Sequence, residues 1–354
     1  MLWSERYWLP KGVSWNDLES NETVRYPDIW ELVYAMKYAL KRKYNDVLSS
    51  IIFRYSVALL LLRIACECFI FLPICCSFGL VKEPLWIRMR EHLNIWQANK
   101  GKFKKMSETI WRFLFYFSIW IYGLFVLHDQ PQFYDVTECW RNWPRHELNS
   151  KVWWYYVIET SFYCSLIISS FTFDIRRADF LQMTFHHLIT IILLFLSFAM
   201  NMVRVGTLVL FSHDLADIFL EFGKICRYAG CQSALTCIFL MFTVAWIATR
   251  LIYFPFFIIR SVLFDAPLLI QADYRWENIR QVPIVPRLFV VMLLFLLILH
   301  IYWTFLIIKI AIKSTQGKID DIREDSDDEI SSTPSLENVN GDVKNDEKWN
   351  KKRD

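Results

Sequence analysis

This sequence of 354 residues lacks several features that would indicate a zinc-binding, disulfide-linked or secreted protein. Its nine cysteines include no CxxC pair or other zinc-finger spacing, which argues against a zinc module and a disulfide framework. The first 50 residues contain no basic start followed by an apolar run, so we expect no cleavable signal peptide. The formal net charge is only +3, so overall charge indicates no class of partner.

Apolar and aromatic residues are abundant instead. Hydrophobic residues make up 55% of the chain and aromatic residues 17%, and a soluble protein of this length cannot bury so much apolar surface. A membrane-crossing helix needs about 20 apolar residues. The candidate segments are 51–72, 110–127, 152–172, 180–199, 204–223, 233–259 and 286–312. The sequence therefore predicts an all-α integral membrane protein with about seven transmembrane helices.

The topology follows from the charges of the loops. The loop at 81–109 carries an excess of lysine and arginine, which is typical of a cytosolic loop and places the N-terminus in the lumen. The chain has a single glycosylation sequon, Asn21-Glu22-Thr23, and it falls in that luminal segment, so we predict a glycan on Asn21. Seven spans then place the C-terminus in the cytosol.

The two ends of the chain differ from the middle. Residues 1–50 form a luminal segment in which Asp28 and Glu31 make a capping box, and the spacing after it predicts an amphipathic helix on the membrane face. Residues 314–354 form an acidic tail too polar to fold, with Ser326 as a predicted phosphorylation site. Whether the tail regulates the protein or only tethers its end is left open.

Between these ends we expect a first transmembrane helix at 51–80, the basic cytosolic loop at 81–109 and a membrane domain at 110–313. The terminal run 351–354, KKRD, resembles a dilysine retrieval signal of the endoplasmic reticulum (ER), which is a receptor-read address. The predicted location is therefore the ER membrane.

The fifth span contains a stripe of ionisable and polar side chains. Helical geometry places all of them within an arc of about 100°. They are His213, Asp214, Asp217, Glu221, Lys224 and Tyr228. Such groups are costly inside a bilayer and by default indicate a functional site.

The fourth span contains the pair His186 and His187, at a depth similar to that of His213 on the next, antiparallel helix. We expect the two groups to converge, because neutral imidazole beside carboxylate suits a general base or an acyl-accepting nucleophile. A single zinc site is left open, whereas a di-iron oxygenase needs more histidines than the four found in spans. Arg63 and Glu67 should pair within the first helix, and Glu159 is expected to line the cavity.

The run from His213 to Tyr228 matches the signature H-D-x-x-D-x-x-L-E-x-x-K-x-x-x-Y of the ceramide synthases at every fixed position. The pair His186-His187 and the segments 111–113, 201–207 and 249–252 also resemble that family, over about residues 80–330. The resemblance implies an ER enzyme with a barrel of spans two to seven around a lipid-sized cavity and span one outside. The partial homeodomain of many family members would not fit the short loop here, so we expect no nucleic-acid binding.

The resemblance also implies the reaction, transfer of a fatty acyl group from acyl-CoA to the amine of a sphingoid base, with acyl-CoA as co-substrate and no other cofactor. We interpret His186, His187, His213, Asp214 and Asp217 as catalytic. Substrate binding is assigned to Glu221, Lys224, Tyr228 and Arg204. The alternative is a non-enzymatic, lipid-binding relative with the same barrel. A homo- or heterodimer and the preferred acyl-chain length are left open.

Overall fold

The computed structural model describes residues 5–20, 24–27, 51–77, 86, 89–90, 102–175, 178–271, 273–278 and 281–315. Within these ranges all regular structure is helical. The long helices are α1 (Ile51–Ser77), α2 (Lys102–Leu127), α3 (Ser150–Thr172), α4 (Phe180–Ala199), α5 (Val203–Ala229), α6 (Gln232–Ile270) and α7 (Val285–Thr315). The predicted glycosylation site Asn21, the amphipathic helix from Asp28 and the tail with Ser326 lie outside the described residues.

Five of these helices, α1, α2, α4, α6 and α7, are long and apolar enough to cross a membrane. This confirms the predicted all-α membrane fold. Helices α3 and α5, with 23 and 27 residues, are also long enough, but α3 is rich in Trp, Tyr and Ser and α5 carries the charged stripe. The predicted total of seven spans therefore stays a prediction.

The helices pack as a closed ring with one helix outside it. Around the ring the order is α2, α3, α4, α7, α6, α5 and back to α2, each helix in contact with the next. Helix α1 packs against the outside of α3. This is the arrangement predicted from the family resemblance, a six-helix barrel with the first helix outside.

One end of the barrel is covered by residues 5–20 and 24–27 together with the loop at 128–149 and residues 273–278 and 281–284, which we call the N-terminal cap. The amide of Leu148 donates a hydrogen bond to the carbonyl of Arg25 over 2.7 Å, and the amide of Ile284 donates one to the carbonyl of Tyr7 over 2.9 Å. In the turn between α4 and α5, the Asn201 side chain donates to two carbonyls of the 128–149 loop. These bonds hold the described N-terminal residues at the end of the barrel where α4 and α5 meet.

Helix α2 begins at Lys102, eight residues before the predicted start of the second span, so the loop predicted at 81–109 is too long. The extra turns carry the charged side chains of Lys104 and Glu108, which a hydropathy pattern assigns to a loop. Lys104 lies 4.0 Å from Glu108 and 3.6 Å from Glu67 of α1. Because these charges find partners, the helix can continue through them.

A glycine allows α5 to pack closely against α3. A Cβ atom at Gly206 would lie 1.7 Å from the hydroxyl oxygen of Tyr156, which is fully buried and hydrogen-bonded to Ser197. We expect Gly206→Ala to destabilise the protein by at least about 1–3 kcal/mol, the usual cost of overpacking. Thermal unfolding in detergent would measure this as a lower Tm.

The matched control is Gly223→Ala on the same helix, where the nearest atom would lie 3.6 Å away. That distance is an ordinary contact, and alanine is the better helix former, so its Tm should stay unchanged or rise. Equal Tm values for Gly206→Ala and the unmodified protein would contradict the close packing described here.

Candidate active site

A cavity of about 250 Å³, which we call the larger cavity, lies among the described helices toward the end of the barrel opposite the N-terminal cap. Near the ends of α3 and α5 its lining is ionisable and includes Asp174, Glu221 and Lys224. Deeper inside, the lining includes His186 and Trp303. The cavity thus runs from a charged rim to a histidine in the middle of α4.

The second cavity, of about 50 Å³, continues toward the N-terminal cap, and we call it the inner cavity. Its walls are mostly apolar side chains of α4, α5 and α7, including Leu193, Val209 and Phe289. His186 lines both cavities, and His213 lines the inner one. His186 therefore stands at the junction between a charged compartment and an apolar one.

Three imidazoles gather at this junction. The ring of His213 lies 4.9 Å from that of His300, and His186 meets the edge of Trp303 at 5.3 Å. The Nδ1 atom of His186 is buried and has no hydrogen-bond partner among the described residues. His187, which lines the larger cavity, has its ring 5.7 Å from that of His186. The predicted histidines of α4 and α5 thus come together, and sequence reasoning did not assign His300 to the site.

The surroundings of His213 fix which of its ring nitrogens carries the proton. Its Nδ1 atom lies 2.7 Å from the carbonyl oxygen of Val209, and a carbonyl can only accept a hydrogen bond. The proton of the neutral ring therefore sits on Nδ1, which leaves the lone pair on Nε2. No group in the described part of the chain donates a hydrogen bond to that Nε2 atom.

Arg250 of α6 organises the carboxylate beside this cluster. Its guanidinium donates to Asp217 Oδ2 and to the carbonyl of His213, each over 2.9 Å, and lies over the ring of Trp246 at 4.8 Å. Asp217 is thus a partner of arginine and not a free base. Arg250 was visible in the sequence only as part of the family-like segment 249–252, and no spacing rule linked it to Asp217.

Asp214 occupies a different environment from its neighbours in the stripe. It and Glu159 of α3 are fully buried, and neither lines either of the two cavities. Their carboxyl groups lie next to each other, and among the described residues neither receives a hydrogen bond from a nitrogen or hydroxyl donor. The expectation that Glu159 lines the cavity is wrong, because the side chain is turned toward α5.

The charged rim is held by an ion-pair network. Glu221 Oε1 lies 2.7 Å from Lys224 Nζ and 3.4 Å from Arg112 Nε, and all three residues line the larger cavity. Two residues assigned to substrate binding lie elsewhere. Tyr228 packs against Cys75 and Met106, and Arg204 donates to the carbonyl of Glu138 in the cap. Neither lines either cavity, so their assignment stays a prediction without geometric support.

Residues grouped for a metal ion are not found in the part of the chain that the structure describes. The neighbours of the imidazoles at the junction are other imidazoles, the rings of Trp303 and Phe254, and the guanidinium of Arg250. They are not a set of carboxylates or thiolates. The cluster is therefore suited to proton transfer or acyl acceptance in a mostly apolar barrel.

Comparison with known proteins gives consistent matches over most of the chain. Residues 105–309 match the family described as the TLC domain. Ceramide synthase hyl-2 of Caenorhabditis elegans is 41% identical over 91% of this chain and 92% of its own length. Ceramide synthase hyl-1 of the same organism is 40% identical, over 92% and 84% of the two chains. Human ceramide synthase 5 is 32% identical, over 96% and 88%.

Proposed function

The chain belongs to the ceramide synthase family of TLC-domain membrane proteins, and we propose that it transfers a fatty acyl group from acyl-CoA to the amine of a sphingoid base. The product is an N-acylated sphingoid base, dihydroceramide or ceramide. The thioester is already activated, so the reaction needs no further cofactor. The named relatives and the complete His213–Tyr228 stripe argue against the alternative of a non-enzymatic lipid-binding protein.

One observation carries this proposal: His186 lies where the charged cavity meets the apolar one. An acyl-CoA has the same division, with a polyanionic CoA group on one side of the thioester and an alkyl chain on the other. With CoA at the charged rim and the first carbons of the alkyl chain entering the inner cavity, the thioester carbonyl falls beside His186. Arg112 and Lys224 then supply positive charge for the phosphates.

His186 can act in two ways, and both balance. As a base, it takes a proton from the attacking amine nitrogen while the new C–N bond forms, and the C–S bond breaks to release CoA thiolate, which is then protonated. As a nucleophile, its ring nitrogen first displaces the thiolate, and the amine then displaces the imidazole from the acyl carbon. In either route the amine loses a proton and CoA gains one.

The other residues of the cluster act on His186 and its surroundings. His213 presents an Nε2 lone pair toward the apolar interior, and Arg250 holds both its backbone carbonyl and Asp217 in place. Asp214 and Glu159 lie next to each other behind this layer, on α5 and α3. Rigid neighbours keep the thioester and the amine in reacting geometry and keep competing water away.

The function is tested with purified protein, sphinganine and a panel of acyl-CoA donors of increasing chain length. We expect N-acylsphinganine to form with some donors and not with others, because the inner cavity has a finite length. The N-acylsphinganines of different chain length would be separated and identified by mass spectrometry. Absence of product with every donor would contradict the proposal.

We further propose that the protein lies in the ER membrane with its N-terminus in the lumen and its C-terminus in the cytosol. The N-terminal cap brings the described N-terminal residues to the same barrel end as the α2–α3, α4–α5 and α6–α7 loops, which supports this topology. Asn21→Gln should therefore abolish an endoglycosidase-sensitive mass shift, and a tag after Asp354 should be digested by protease added to sealed microsomes. A tag that is protected there would overturn the orientation.

A further inference from the structure

Helix α1 lies outside the barrel and before the TLC-domain match at 105–309, yet one of its side chains, Arg63, pairs with residues that line the larger cavity. Arg63 is 1% exposed. It donates to both carboxylate oxygens of Asp174, with the shorter bond at 2.6 Å, and to Glu67 over 2.8 Å, which confirms the predicted Arg63–Glu67 pair. It also lies 3.8 Å from Glu108.

Two of these three acids belong to the cavity. Asp174 and Glu108 both line the larger cavity, whereas Glu67 does not. Glu67 has a second cation, Lys104, at 3.6 Å. Burial alone would raise the pKa of Asp174, but the charge of Arg63 keeps it below its ordinary value, so Asp174 stays ionised. Arg63 is thus the ion-pair partner of Asp174, and it shares Glu108 with Lys104, which lies 4.0 Å from that carboxylate.

These carboxyl groups stand where the proposed function brings CoA. The phosphates of CoA are strongly negative, and an unmasked carboxylate pair in a low-dielectric rim would repel them. Removing Arg63 would expose that repulsion without changing any residue of the histidine cluster. A sphingoid base carries a cationic amine, so it would not meet the same barrier.

We propose that Arg63 is a positioning residue for acyl-CoA: by pairing with Asp174 and lying beside Glu108 it lowers the negative charge that these two acids present at the cavity rim, so that helix α1 takes part in donor binding. The proposal rests on the proposed function, because it assumes that CoA binds at this rim. It assigns a role in the active site to a helix that the TLC domain does not include.

The test compares Arg63→Met with the unmodified protein in a steady-state assay of N-acylsphinganine formation. We expect KM for acyl-CoA to rise about fivefold or more, with KM for sphinganine and kcat nearly unchanged. The rise should shrink as salt is added, since screening weakens the repulsion. Arg63→Lys keeps the charge and should stay near the unmodified values. Arg260→Met removes an exposed arginine at the other end of the barrel and serves as the control.

A rescue separates charge masking from a merely structural role. Arg63→Met combined with Asp174→Asn and Glu108→Gln leaves neither of the two rim carboxylates unmasked, so KM for acyl-CoA should return toward its original value. If the single variant does not fold, Arg63→Met with Asp174→Asn replaces it, and its KM should exceed that of the triple variant. An unchanged KM for acyl-CoA, an equal rise for both substrates, or no rescue would overturn the proposal. If the unmodified protein formed no N-acylsphinganine, that result would instead refute the proposed function.

Discussion

Replacement of His186 by alanine is expected to lower the rate of N-acylation by at least about a hundredfold, the usual contribution of a positioned general base. The physical reason is the position of His186 at the junction of the two cavities. Among the described residues, no other side chain lines both of them, and its imidazole can accept a proton. The measurement is kcat and kcat/KM for N-acylsphinganine formation by purified protein, with the amount of folded protein checked by size-exclusion chromatography.

The matched control is His128→Ala, which removes an exposed histidine of the cap and should leave kcat unchanged. We expect His187→Ala and Asp214→Ala to lose activity as well. The first loses a ring beside His186, and the second leaves Glu159 without its partner. Near-original activity in any of these three alanine variants, with normal yield, would contradict the role assigned to that residue.

Loss of Arg250 is expected to have the second large effect. Arg250→Met leaves the carboxylate of Asp217 without its cation inside the barrel, and breaking a buried ion pair from one side typically costs about 3–5 kcal/mol. It also frees the carbonyl of His213, so the geometry of the histidine cluster loosens. We expect both a lower Tm and at least a tenfold lower kcat, about 1.4 kcal/mol of barrier.

A double-mutant cycle identifies the pair as the cause. Arg250→Met combined with Asp217→Asn removes both charges, so its loss of stability should be smaller than the sum of the two single losses. Arg260→Met, an exposed position on the same helix, should change neither property. Strictly additive losses would show that Arg250 and Asp217 act independently, which would contradict the ion pair described here.

The helices and their ring could be predicted from the sequence because both depend on signals that are local or shared by a family. Runs of apolar residues are continuous, so the fourth helix was predicted at 180–199 with the bounds that are observed. The polar stripe of α5 follows directly from helical periodicity. The pair Arg63–Glu67 lies one helical turn apart, and that spacing alone suffices to predict it.

The contacts between distant segments could not be predicted in the same way. Helical periodicity places the stripe on one face of α5, but α5 packs between α2 and α6, so the residues of that face meet different neighbours. Asp214 meets Glu159, Asp217 meets Arg250 and Glu221 meets Arg112. Side chains spread over an arc of about 100° can point toward three different neighbouring helices. Such partners depend on which helices become adjacent, and a single sequence does not contain that information.

The early start of α2 has the same explanation. A charged turn looks like a loop when only hydropathy is considered, whereas in the folded protein Lys104 pairs with Glu67 of α1 and the buried Glu108 accepts a hydrogen bond from the amide of Ile175, just after α3. The site is therefore built partly from residues whose role depends on helices far away in the chain. Arg63 and Arg250 are the clearest cases.

The central claim is that this barrel transfers an acyl group and does not merely bind lipids. The most direct test uses purified protein in vesicles that contain no other protein, with sphinganine and acyl-CoA labelled with ¹³C at the carbonyl carbon. We predict that the label appears in the amide of N-acylsphinganine and that one CoA thiol is released for each amide formed. Binding of both substrates without labelled amide, or thiol release that yields only free fatty acid, would contradict the account.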